Sequence, residues 1–165
     1  EFFSRSMQSE YEEKIQDAVK MIANSDVALF FGIGTSGLIA AYASRQFSNL
    51  GQSTFHIQDP YYPFHLISRQ YTNTVAIICS VSGETEIMLR KTGDLKSLGS
   101  KIISITNSST NSLARQSDIN LAYHLTPEYV DEEVNVTSQL PAVFLIETLA
   151  RRNYNYMQQM LNNKL

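Results

Sequence analysis

Val75-Ala76-Ile77-Ile78-Cys79 runs straight into Ser80-Val81-Ser82-Gly83-Glu84-Thr85, and this junction decides the fold. An unbroken apolar, partly β-branched run reads as a strand buried on both faces, which is the signature of a parallel sheet. It empties into three hydroxyl side chains, a glycine and an acid. Ile87-Met88-Leu89 then continues with helical spacing. A strand, a short hydroxyl turn and a helix start together make an anion site. The first N–H groups of a helix have no intrahelical acceptor, and the helix dipole adds roughly half a positive charge at that end. Gly83 allows close approach of the backbone, and the hydroxyls supply further donors. Glu84 would repel an anion that it faced, so it is expected to point away or to meet a ligand hydroxyl. Plain helix capping by Ser82 or Thr85 is the alternative reading.

A second stretch repeats the plan. Asp26-Val27-Ala28-Leu29-Phe30-Phe31 ends in Gly32-Ile33-Gly34-Thr35-Ser36-Gly37, followed by the small, apolar Leu38-Ile39-Ala40-Ala41-Tyr42-Ala43. The glycines at 32, 34 and 37 approximate a dinucleotide fingerprint. That fingerprint also needs an acid at the end of the second strand. Asp59 is the nearest candidate, and Thr35-Ser36 places hydroxyls where bare backbone is the rule. A small anionic ligand fits better than a nicotinamide or flavin cofactor, and no cofactor is expected.

Around these two turns the chain alternates. A helix is expected over 7–23, with Tyr11, Ile15, Ala18, Val19 and Ile22 on one face and an unstructured stretch before it at 1–6. A second strand covers 53–57, a short helix falls within 60–71, and a helix runs from about Glu84 to Leu98. A fourth strand covers 101–106, a polar turn and short helix cover 107–116, and Asp118 to His124 gives a fifth strand, Ile119-Asn120-Leu121-Ala122-Tyr123. An acidic connection over 126–133 leads to a long last helix starting near 135–138, because Pro141 is tolerated only close to a helix start. The polar tail from Asn153 would reach a partner subunit. With no hairpin signals, the expected fold class is α/β: a three-layer sandwich with a five-stranded parallel sheet of flavodoxin-like order 2-1-3-4-5. In that order the topological switch point lies between strands one and three. Both hydroxyl turns follow those strands, so two separate stretches converge on one place.

The totals exclude several classes. A chain of 165 residues makes one domain, and a net charge of −3 with scattered Lys and Arg gives this chain no nucleic-acid surface of its own. The lone Cys79 cannot close an intramolecular disulfide, so a reduced, cytoplasmic protein is expected. No apolar run has the length of a membrane span, and no metal-ligand spacing is present.

Gly32-Ile33-Gly34-Thr35-Ser36, Ser80 through Thr85, and Ile105-Thr106-Asn107 through Ser117-Asp118 resemble the sugar isomerase (SIS) domain, over about 7–152. Thr137-Ser138-Gln139 leading into Phe144-Leu145-Ile146-Glu147-Thr148-Leu149 looks most like the effector domain of RpiR-type bacterial transcription regulators. The resemblance implies one SIS domain over 1–165, with a helix-turn-helix DNA-binding domain upstream of this chain. It implies that Ser80, Ser82, Gly83 and Thr85 hold a phosphate, and that Gly34, Thr35 and Ser36 meet the sugar or phosphate from the other side. Glu133 stands where several isomerases of the superfamily keep a catalytic acid or base. Nothing here matches the Lys-His-Gly segment that glucosamine-6-phosphate synthase carries after that glutamate.

Two functions follow. One is a sensor that binds a sugar phosphate without turnover, works as a homodimer or homotetramer, and touches DNA only through the other domain. The other is an aldose–ketose isomerase, which needs a positioned base, with Glu133, His56, Glu84 and His124 as candidates. The sensor is the preferred expectation, with no catalytic residue assigned.

Overall fold

In the computed structural model, which describes residues 9–163, a five-stranded parallel sheet of order β2-β1-β3-β4-β5 carries helices on both faces. In chain order the elements are α1 (Ser9–Ala23), β1 (Val27–Phe31), α2 (Thr35–Asn49), β2 (Thr54–Ile57) and α3 (Phe64–Ser68). They continue with β3 (Thr74–Cys79), α4 (Glu86–Ser97), β4 (Lys101–Thr106), α5 (Ser112–Gln116) and β5 (Ile119–Ala122). A small ribbon, β6 (Tyr129–Val130) and β7 (Val134–Asn135), precedes the long α6 (Leu140–Asn162). The α/β class and the 2-1-3-4-5 order match the expectation from sequence.

The central strands explain themselves. Every residue of β1 and β3 is buried, as continuous apolar runs covered on both faces must be. Successive side chains of a strand point to opposite faces, so each strand feeds two cores. Phe30, Ile77, Cys79, Ile103 and Leu121 pack beneath α1, α2 and α6, with Ile22, Phe47 and Leu145. Leu29, Phe31, Ala76, Ile78 and Ile102 pack beneath α3, α4 and α5, with Phe64, Met88 and Leu113. The pairing of Val27–Phe31 with Thr74–Ile78 brings the carboxyl ends of β1 and β3 side by side.

Several boundaries differ from the sequence reading, each for a local reason. The fifth strand stops at Ala122, because His124 takes a positive φ of 53° and turns the chain. The end of the connection read over 126–133 and the two residues after it form an antiparallel ribbon that no hairpin signal announced. Its turn is made by Asp131 and Glu132 at φ 51° and 60°, a conformation usually given to Gly or Asn. Helix α6 begins only at Leu140, with Pro141 in its first turn, and runs as regular helix to Asn162, its polar tail from Asn153 included. The unstructured stretch expected at 1–6 lies outside the described residues. Among the described residues no helix is long and apolar enough to cross a membrane.

Candidate functional site

At the carboxyl ends of β1 and β3 lies a cavity of about 500 Å³, walled by the two hydroxyl turns and by the segment leading into α6. The first wall is the start of α2. A Cβ on Gly32 would lie 2.3 Å from the Ser36 carbonyl oxygen, so glycine lets the helix start fold back on the strand end. Gly34 occupies the N-cap with φ 60° and ψ −132°, a region open to glycine. No side chain caps α2, which leaves the N–H groups of Thr35 and Ser36 facing the cavity end of its dipole.

The second wall is the turn after β3. Ser80 Oγ accepts from the Gly83 N–H at 3.1 Å, and Ser82 Oγ accepts from the Glu84 N–H at 3.2 Å. Both hydroxyl oxygens thus brace the turn, and each hydroxyl proton stays available to a ligand. Thr85 sits at the N-cap of α4 without a side-chain capping bond, so plain capping does not account for its hydroxyl. Gly83 has φ +66°, and a Cβ there would fall 2.2 Å from Asn111 Oδ1. Its missing side chain makes room for Asn111, which caps α5 by accepting from the Ala114 N–H at 2.7 Å. Glu84 points away from the cavity and accepts from the Ser112 N–H at 2.8 Å. That contact, with Arg115 nearby, holds its carboxyl below the ordinary glutamate range.

The third wall was missed as a site from sequence, although Thr137-Ser138-Gln139 carried part of the resemblance. Val134 and Asn135 of the ribbon and the following Val136, Thr137, Ser138 and Gln139 all line the cavity. Thr137 Oγ1 accepts from the Glu128 N–H at 2.9 Å, which ties the ribbon to the base of α6. Ser36 Oγ donates to Gln139 Oε1 at 3.0 Å and joins the starts of α2 and α6. Such a cluster of hydroxyls and amides just before a helix start repeats the grammar of the other two turns, and that signal could have found it.

Of the expected site residues, Thr35, Ser36, Ser80, Ser82 and Thr85 line the cavity, while Gly34 and Gly83 shape its turns. Glu133 does not line it; it is exposed in the ribbon turn, its N–H donating to the Val130 carbonyl at 3.1 Å, one residue before the wall begins. His56 lies exposed on edge strand β2, and His65 and His124 belong to other clefts. Among the described residues, the lining holds no Asp, Glu, His, Lys or Arg. Its one titratable group is Cys79, whose thiol burial pushes up to about 12. An anion here would be met by neutral donors and two helix N-termini. The described residues contain no cluster of three metal-ligating side chains.

A family model for the SIS domain matches residues 21–150. An uncharacterised HTH-type transcriptional regulator of Clostridium perfringens is 30% identical over 129 residues, which cover 78% of this chain and 46% of the regulator. The arabinose 5-phosphate isomerase KpsF of Escherichia coli is 34% identical over 98 residues, 59% of this chain and 31% of the isomerase. The chain therefore spans between about a quarter and just over half of the length of the curated relatives it matches. Among solved structures, the sugar isomerase domain of the RpiR transcription factor from Sphaerobacter thermophilus superposes with a TM-score of 0.72 at 17% identity, over 92% of this chain and 86% of that one.

Proposed function

The chain belongs to the SIS domain family, and on that premise we propose that it is the phosphosugar-sensing domain of an RpiR-type transcriptional regulator. A sugar phosphate binds between the carboxyl ends of β1 and β3 without turnover. Its phosphate takes the hydroxyl protons of Ser80, Ser82 and Thr85 and the N–H groups beginning α4. Thr35, Ser36 and the Gly34 turn meet the ligand from the opposite wall, and Glu133 stands at the rim.

The observation that carries this reading is the cavity's composition: hydroxyls and free helix N–H groups at two converging helix starts, with no carboxylate or imidazole among the described residues of the wall. Such a wall can hold an anion, but it offers no group that exchanges protons with a substrate near neutral pH. The likeness to a transcription regulator supports placing a DNA-binding domain elsewhere in the full-length protein. A homodimer is part of the proposal. Leu38 and Leu140, 65% and 68% exposed near the joined starts of α2 and α6, offer it an apolar face beside the cavity. Ligand would act by favouring one arrangement of the two copies, through its differential affinity for them.

The second reading, an aldose–ketose isomerase, is favoured by the likeness to the arabinose 5-phosphate isomerase and by Glu133 standing one residue from the wall. Phosphorus NMR of the chain with a pool of pentose, hexose and amino-sugar phosphates separates the two. Broadening of one component without new resonances is the expected result. New resonances from an isomer would replace the sensor with the enzyme.

A further inference from the structure

Gln139 is the N-cap residue of α6, yet its side chain makes no capping bond. Its Oε1 instead accepts the Ser36 hydroxyl proton at 3.0 Å. Both residues line the cavity, on the sides made by α2 and α6 rather than by the turn after β3. In the structure the amide oxygen is the atom engaged by Ser36. Its Nε2 makes no hydrogen bond within the described part of the chain, and it keeps two donors. The N–H groups of Thr35 and Ser36 at the start of α2 add two more. This corner therefore presents a concentration of donors, away from the Ser80–Thr85 turn.

We infer that Gln139 is a specificity-determining residue. Ser36 orients its amide so that Nε2 donates to a hydroxyl or carbonyl oxygen on the sugar portion of the ligand, and the corner disfavours a protonated amine. This rests on the phosphosugar reading above and deepens it: the turn after β3 reads the phosphate, and Gln139 reads what the phosphate is attached to.

The test compares two probes, inorganic phosphate and D-glucose 6-phosphate, on the wild-type chain and on Gln139→Met, a swap of similar length without donors. Losing one neutral hydrogen bond lowers affinity by roughly three- to tenfold. That loss is expected for glucose 6-phosphate, with inorganic phosphate binding unchanged within about twofold. On the wild-type chain labelled with nitrogen-15, the Gln139 side-chain amide resonances are expected to shift with glucose 6-phosphate and to stay in place with inorganic phosphate. This second measurement holds even if the variant folds poorly. Equal losses for both probes, no loss for either, or an amide that ignores the sugar phosphate would overturn the inference while leaving phosphate binding intact. A wild-type chain that binds neither probe would overturn the phosphosugar reading itself.

Discussion

Replacing Gly83 by alanine tests how the turn after β3 is built. Two costs add at this position. A φ of +66° is a left-handed conformation, which costs an alanine about 1–2 kcal/mol, offset by about 0.4–1 kcal/mol from the stiffer unfolded chain. The new Cβ would also lie 2.2 Å from Asn111 Oδ1. Asn111 must then move and release the Ala114 N–H that it caps, a loss of about 1 kcal/mol. The sum is about 2 kcal/mol, or roughly 4–8 °C in Tm for a chain of this size. Gly99→Ala is the control: its φ is +89°, but a Cβ there has nothing within 4 Å, so only the backbone cost applies, about 1 kcal/mol or less. Urea denaturation of both variants, and of Gly83→Ala in an Asn111→Ala background, separates the contributions. With the Asn111 amide already removed, Gly83→Ala should cost no more than the control. Equal losses in Gly83→Ala and Gly99→Ala, or strict additivity of the pair at 83 and 111, would refute the packing argument. Gly83 would then be present for its backbone freedom alone.

Three further outcomes are expected. Ser82→Ala should weaken sugar phosphate binding by roughly 1–3 kcal/mol through loss of a hydrogen bond to a charged oxygen; calorimetry that finds unchanged affinity removes this turn from the site. Because Cys79 is the one titratable group among the described residues of the wall and its thiol is pushed up to about 12, the pH dependence of affinity should be the ligand's own. Affinity should be flat above about pH 7 and fall as the phosphate gains its proton near pH 6, and an added transition between about pH 7 and 9 would contradict the lining. Glu84, whose pKa is lowered by its contact with Ser112, stabilises the folded chain above the ordinary glutamate pKa and loses that contribution as pH falls through its lowered value. The urea midpoint of Glu84→Gln should therefore lie below wild type at neutral pH and approach it below about pH 4. A gap that persists unchanged into acid would show that the carboxylate's charge is not what holds Ser112.

The sheet was legible because Val-Ala-Leu-Phe-Phe and Val-Ala-Ile-Ile-Cys are apolar at every position, short, and each followed at once by a glycine- or serine-rich turn. Order followed from the alternation of strands and helices, and the switch point from the order. What escaped depended on partners far along the chain. Gln139 reads locally as an ordinary residue before a helix, and it becomes part of a wall only through a hydroxyl 103 positions away. The ribbon escaped because its turn uses Asp131 and Glu132 in the left-handed conformation without the Asn-Gly pair that announces hairpins. Glu133, exposed in the ribbon turn, stands one residue before the wall, so a glutamate placed at the site by motif resemblance is not among the lining residues.

The same long-range contacts explain why the turn is suited to binding. Anion sites made of neutral donors gain affinity by being formed before the ligand arrives, because ordering them afterwards would consume the interaction energy. Here each flexible part of the turn is already committed. Ser80 and Ser82 spend their oxygens on the backbone of their own loop, Gly83 is packed by Asn111, and Glu84 is drawn off to the start of α5. Glu84 thus serves the proposed site by its absence from it: the acid beside the turn is held against another helix, where its charge meets an N–H group and Arg115. The hydroxyl protons and helix N–H groups are what remain uncommitted, and they gather on the side where β1 and β3 part company.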